Sequence, residues 1–468
     1  MADITWHHWE IEFDKSGNIE ASARAKLLDQ IITANLTDLI FMSHGWGAST
    51  EHARELYEQW FGLLPPLASA STDVRVGTIG VFWPAMLWPD EPQPGAPATE
   101  GGVAALPEPT PAEQPGAAVA ALTTVYPEPE QQLILKQLAA LLNDQSSSPQ
   151  ALAQFHELMK NLSETEPQTI GLEDSGPLAM LNEDPETLAA RFAAALDTAA
   201  EQATMGDSAA DGVPQAFDEG GAADLPDIEL ADVGQGAAGG IGNITSRLWN
   251  GAKEALRAFT YWQMKQRAGV VGQNGLGPFI ADLAAGAQNL RVHLIGHSFG
   301  ARLVAFSLAG LPDGDPSPVR SLTLLEGAFS HFAFAPVLPQ DPARSGALNG
   351  MMARVGGPLL ACYSSHDSAV GVLYPVASMT AGDDAAGLAD DLTFRWGALG
   401  HDGAQEVGAA IVPLAAVGTR YNFAASHFTN VDASAVVCHG GPPSGAHSDI
   451  VHPELGWAML SAAGLAAS

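Results

Sequence analysis

Residues 292–300 read VHLIGHSFG, an apolar run that ends in Gly296-His297-Ser298-Phe299-Gly300 and passes directly into ARLVAFSLAGL. The apolar half is rich in β-favouring residues, and the half after Ser298 places Ala301, Leu303, Val304, Ala305, Phe306 and Leu308 on a helical face. A G-x-S-x-G between a strand and a helix nominates Ser298 as a nucleophile whose Oγ projects from a sharp turn. Such a turn brings strand and helix backbones together, so the places two residues before and after the serine must lack side chains, and Gly296 and Gly300 fill them. The five-residue pattern is short, and its placement after a buried parallel strand carries the weight.

A second constellation lies upstream. Leu39 to Ser43 form another short apolar run, followed by His44-Gly45-Trp46-Gly47 and a predicted helix over Thr50 to Phe61. A Gly-flanked loop at the C-terminal end of a strand can aim backbone N–H groups at a developing oxyanion. The expected donors are the N–H groups of Trp46 and Phe299, with His44, Gly45 and Gly47 supporting the loop.

In this order of parts the chain resembles the α/β-hydrolase superfamily on its esterase and lipase side. An HG-x-G loop follows an early strand, a strand over Val74 to Trp83 comes next, and the G-x-S-x-G elbow follows the strand at 292–296. The matching segments are roughly residues 4–90 and 246–468. The resemblance implies an α/β fold with a mostly parallel sheet covered by helices on both faces, and remaining partners in the chain order Ser, Asp or Glu, His.

For the acid, a strand over Pro358 to Ser364 precedes Ser365-His366-Asp367, which makes Asp367 the first candidate to orient an imidazole. Glu326, at the end of SLTLLEG, competes with it, and Asp383, Asp384 and Asp402 remain open. For the base, Ala433 to Cys438 reads as the last strand, and the loop after it carries His439, His447 and His452. His447 follows a Gly-rich stretch long enough to reach back across the sheet, so it is the expected base.

Composition narrows the class. The 468 residues carry a formal net charge of −33, and residues 90–245 hold 26 Asp plus Glu against 3 Lys plus Arg, a net of −23. Repulsion from phosphate argues against nucleic acid as a partner. No apolar run of 18 residues and no leader pattern is present, so neither a transmembrane helix nor a signal peptide is expected, and the default location is the cytoplasm. Two cysteines, Cys362 and Cys438, fall in expected strands, which predicts reduced, buried thiols. No C-x-x-C and no Walker pattern is present, and no metal and no cofactor is expected.

The acidity marks a compositional break that divides the chain into 1–90, 91–245 and 246–468. The middle part has Pro/Ala/Gly-rich stretches on either side of helix patterns over Glu128 to Asn143, Pro149 to Leu162 and Asp184 to Thr204. It reads as a large acidic, partly helical insertion that acts as a lid, a spacer or a partner-docking arm. Ser246 to Ala268 predicts an amphipathic helix with a basic, solvated or insertion-facing side, and Gly272 to Ala287 a turn and a further helix. The expected function is hydrolysis of a small-molecule or lipid carboxylic ester, with Trp46, Trp83, Trp88 and Phe299 near strand ends either lining an apolar acyl pocket or covering the core. Thioesterase or acyltransferase chemistry uses the same residues, and a non-catalytic scaffold with a partner-binding insertion is the alternative from another class.

Overall fold

The structure is a computed structural model and describes residues 6–46, 50–69, 71, 73–85, 116, 119, 122–124, 126–164, 181–193, 241–313, 317–339, 341–367, 397–440 and 445–467. Among the described residues eight strands form one sheet: β1 (His7–Glu12), β2 (Asp38–Ser43), β3 (Val76–Phe82), β4 (Arg291–His297), β5 (Val319–Leu325), β6 (Leu359–Tyr363), β7 (Ala410–Pro413) and β8 (Phe428–Asp432). Their spatial order is β1-β3-β2-β4-β5-β6-β8-β7, and every neighbouring pair is parallel.

The central strands are apolar runs because both faces are covered. Alternate residues point to opposite sides. Leu39, Phe41, Leu294, Leu322 and Leu324 join one buried cluster, while Ile40, Met42, Ile295, Leu325 and Leu360 join the other. The second face is covered by α2 (Thr50–Leu63), through Tyr57 and Trp60, and by the last helix, α9 (Pro453–Ala463), through Leu455 and Met459. The first face carries α1 (Ala21–Thr33), α6 (Ile241–Val270), α7 (Gly277–Gly286) and α8 (Phe299–Ser307), the last of which is buried along its whole length.

Residues of the acidic middle part join this first core. Helices α3 (Pro129–Asp144), α4 (Pro149–Glu164) and α5 (185–193) contribute Leu135, Leu138, Phe155, Met159, Leu188 and Phe192 to the same cluster as Trp249 and Leu256 of α6. Phe155 meets Trp249 edge-on at 5.7 Å between ring centroids, and the Trp249 indole donates to the Ser146 carbonyl at 2.9 Å. Asp184 caps α5 by accepting from the Thr187 N–H at 2.9 Å.

Four expectations are corrected here. Residues 433–438 do not form the last strand: pairing stops at Asp432, whose carboxylate accepts from the Ser434 N–H, and the Val436 and Val437 N–H groups turn back onto the Ala433 carbonyl. Val437 is β-branched because it plugs the core, at 0% exposure, and not because it pairs. Consequently Cys438 is exposed, while Cys362 on β6 is buried, and both are free thiols. No turn interrupts the chain at Gly272: a π-helical segment, Val271–Leu276, carries α6 into α7, and the missing side chain at Gly272 lets it pack on α8, where a Cβ would sit 2.1 Å from the Leu303 carbonyl oxygen. Finally, Lys265 and Arg267 of α6 are buried at 1% exposure and not solvated; Arg267 donates to the Pro84 carbonyl at 2.9 Å, and the Lys265 ammonium lies 4.3 Å from the Trp262 ring centroid.

At the N-terminal ends of β2, β4 and β5 a buried polar network joins the central strands. Asp38 accepts from the Arg291 guanidinium at 2.8 and 2.9 Å, from Thr37 Oγ1 at 2.7 Å and from His293 Nε2 at 3.0 Å, and His293 Nδ1 takes the Ser321 hydroxyl at 2.8 Å. Burial alone would push the Asp38 carboxyl up, but the bonds from His293, Arg291 and Thr37 carry it below the ordinary carboxylate range. Burial also keeps the His293 imidazole below its ordinary value, so it is neutral.

Asp38→Asn is therefore expected to cost about 3 kcal/mol of stability at neutral pH, because it leaves Arg291 and His293 without their anion. A depressed folded value means that the Asp38 contribution is present above the unfolded pKa of about 3.9 and lost as pH falls through the folded one. Urea melts of both proteins from pH 8 to pH 3 should show a constant gap that closes only below about pH 4.

Candidate active site

The chain between β4 and α8 turns in a single residue. Ser298 has φ 55° and ψ −122°, a region that L side chains rarely occupy. Its backbone is held from both sides: the N–H donates to the Leu325 carbonyl at 3.0 Å, and the carbonyl accepts from the Ala301 and Ala328 N–H groups at 3.1 and 3.3 Å. The flanking glycines are a packing necessity. A Cβ at Gly296 would lie 2.3 Å from the Gly300 carbonyl oxygen, and one at Gly300 would lie 2.2 Å from that of Ser43 at the end of β2. Strain at this residue is thus maintained by contacts on two neighbouring strands.

Ser298, His447 and Asp367 come together from three segments. Ser298 Oγ is 2.9 Å from His447 Nε2, and His447 Nδ1 is 2.7 Å from Asp367 Oδ2. A carboxylate only accepts, so Nδ1 carries the proton and Nε2 presents its lone pair to the serine hydroxyl. Asp367 follows β6 in a turn closed by its own N–H on the Ser364 carbonyl at 3.2 Å, and it is 1% exposed. His447 is held by its loop: the Ala446 N–H donates to the His366 carbonyl at 2.9 Å, and Cys438 and His439 N–H groups meet Asp449 at 3.0 and 2.9 Å.

A further anchor was legible only as an unassigned position of the elbow. His297 donates from Nε2 to the His447 carbonyl at 2.7 Å, and the two rings lie 4.9 Å apart. Burial, with the neighbouring His447 adding to it, pushes His297 down to about 3, so it stays neutral and keeps one ring nitrogen as donor.

The loop after β2 packs on the serine itself. A Cβ at Gly45 would sit 2.7 Å from Ser298 Cβ. His44 is buried, stacks on Trp83 at 5.6 Å and bonds the Gly45 carbonyl through Nδ1 at 2.9 Å, which fixes the peptide that carries the Trp46 N–H. Burial brings His44 down to about 4, and the neutral ring suits this environment. Its N–H donates to Tyr57 Oη at 2.9 Å, and its carbonyl accepts from the Trp83 indole at 3.1 Å. Trp83, for which both a pocket wall and a core cover were open, is a buried brace of this loop. Phe299 opens α8, where the first N–H groups have no intrahelical acceptor. Its ring lies 6.1 Å from that of Trp46 and 4.7 Å from that of Tyr261, an α6 residue that the sequence did not single out.

The other candidates stand elsewhere. Asp402 accepts from His331 Nδ1 at 2.8 Å, and His439 and His452 both turn to Asp449, at 3.2 and 2.8 Å. Glu326 lies beside Asp367, not on His447, with Oε2 accepting the Ser364 N–H at 3.2 Å. Gly47, Trp88, Asp383 and Asp384 lie outside the described residues. Among the described residues no group of three His, Cys, Asp or Glu side chains is arranged to hold a metal ion, and no helix is long and apolar enough to cross a membrane.

The arrangement can draw a proton from a serine hydroxyl into a neutral imidazole and stabilise the resulting imidazolium with a buried carboxylate. Comparison with known proteins finds no matching family model, curated protein or solved structure.

Gly300→Ala should destabilise the fold by about 3 kcal/mol or prevent it from forming, since the added methyl has only backbone to meet. Expression followed by a guanidinium melt checks this, with Gly62→Ala, an open position in the last turn of α2, unchanged or more stable by up to about 1 kcal/mol.

Proposed function

We propose that this chain is a serine hydrolase of the α/β-hydrolase type that cleaves carboxylic esters through an acyl-enzyme on Ser298. The observation that carries the reading is the continuous chain from Ser298 Oγ through His447 to Asp367 at 2.9 and 2.7 Å, on a strained elbow. The order Ser, Asp, His along the chain and the His44-Gly45 loop packed on Ser298 support the family reading.

In this reading Ser298 Oγ attacks the ester carbonyl carbon as its proton passes to His447 Nε2. The Trp46 and Phe299 N–H groups receive the oxyanion, and each such donor is typically worth about 2.7–4 kcal/mol of transition-state stabilisation. Collapse of the intermediate expels the alcohol, which takes the proton back from His447; water then repeats the sequence on the acyl-enzyme. Thioesters, lactones and transfer to an alcohol acceptor use the same atoms.

A second reading, a hydrolase held closed until the acidic middle part is displaced, has one observation in its favour: Ser298 is 3% exposed.

Labelling with a fluorophosphonate probe, followed by p-nitrophenyl acetate and octanoate turnover, is the test. Ser298→Ala should abolish labelling and lower kcat by about 10⁶-fold, and Asp367→Asn should lower it by about 10⁴-fold. Turnover that rises after limited proteolysis within 91–245 supports the closed form. Folded wild type that never labels, before or after proteolysis, overturns both.

A further inference from the structure

Asp367 and Glu326 are both 1% exposed, and each bonds the same residue, Ser364, from neighbouring strand ends, so two buried carboxyls act on each other there. Two carboxylates have only acceptors between them, so a hydrogen bond joining the pair requires a proton. Asp367 accepts from His447 Nδ1 at 2.7 Å, which leaves Glu326 as the partner suited to carry that proton. Glu326 also grips the turn that presents Asp367: its Oε2 accepts the Ser364 N–H at 3.2 Å, and the Asp367 N–H returns to the Ser364 carbonyl at 3.2 Å.

Its backbone is as constrained as that of the serine. Glu326 has φ 45°, its N–H donates to the Cys362 carbonyl at 3.1 Å, and a Cβ at Gly400 would lie 2.3 Å from its carbonyl carbon. A left-handed conformation at a residue with a long polar side chain is the kind of local strain that gathers at functional sites.

We propose that Glu326 is a positioning residue: a neutral carboxylic acid that donates a hydrogen bond to Asp367, holds it against His447 and draws off part of its negative charge. The role rests on reading Ser298, His447 and Asp367 as the reacting chain. Burial first, then the charge of Asp367 and the shared hydrogen bond, push the Glu326 carboxyl well above its ordinary range, and the Ser364 N–H opposes them. The titratable groups facing it are Asp367 on the turn after β6, Asp449 on the His447 loop and Cys362 on β6, all of which are neutral or negative. During attack the serine proton goes to His447 Nε2, and the Glu326 proton stays where it is. The pair carries one negative charge throughout, as two carboxyls in one dry site must.

Two variants separate donation from bulk. Glu326→Gln keeps an N–H for Asp367 and a carbonyl for Ser364, whereas Glu326→Leu keeps neither. Wild type at pH 8 should show the infrared carbonyl stretch of a protonated carboxylic acid, and Glu326→Gln should lack it. The acid limb of kcat/KM should stay at its wild-type position in Glu326→Gln and rise by about one pH unit in Glu326→Leu, where Asp367 faces His447 with its full charge. The kcat of Glu326→Leu should fall about tenfold, with Gln restoring it.

Absence of a Glu326-dependent infrared band, or a Leu profile that superimposes on wild type, overturns the proposal. If the Leu variant fails to fold by circular dichroism, the infrared comparison of wild type and Gln decides alone. If wild type neither labels nor turns over, the hydrolase reading fails, and the infrared band still decides whether the two carboxyls share a proton.

Discussion

The structure depends on a place where three backbones nearly touch: the end of β2, the end of β4 and the start of α8. Gly300 lies against the Ser43 and His44 carbonyls, Gly296 against Gly300, and Gly45 against Ser298. With no side chains between them, Ser298 has one conformation open to it, and its hydroxyl projects beyond the C-terminal edge of the sheet. Every other part of the site adjusts to that point. The turn after β6 brings a carboxylate, and the loop after β8 brings an imidazole that reaches both.

Legibility in the sequence followed the range of the interactions. The elbow is local, so its glycines, apolar strand and buried helix could be read from residues 292–308. Asp367 stood at the end of an apolar run for the same reason. The residues that needed the fold were those whose partners lie far along the chain. His297 was visible inside the motif, but its purpose depends on a carbonyl 150 residues away. Val436 and Val437 looked like strand because β-branched residues serve a buried turn as well as a ladder. Lys265 and Arg267 looked solvated because an amphipathic pattern cannot announce that residues as distant as Pro84 and Tyr126 will meet the polar side.

The sheet holds two chains of serine, histidine and aspartate that differ in what surrounds them. At the C-terminal edge His447 bonds its carboxylate through Nδ1 and its serine through Nε2, and its side chain is 14% exposed. At the N-terminal edge His293 bonds Asp38 through Nε2 and Ser321 through Nδ1, with no exposure, and Arg291 neutralises the carboxylate. Residue types alone do not distinguish them. Access to a reacting atom and a place at an elbow do, and the second network serves to clamp β2, β4 and β5 together.

The all-parallel arrangement has a consequence for how the chain is made. β2 sits between β3 and β4, so one of its edges stays open until a strand 253 residues further on, measured from Asp38 to Arg291, has left the ribosome. At about 5–20 residues per second that interval lasts on the order of 13–50 s, during which an apolar strand edge has no partner in its own chain. The acidic middle part, with a net charge of −23 over residues 90–245, is synthesised in this interval, so strong like charge accompanies the open edge.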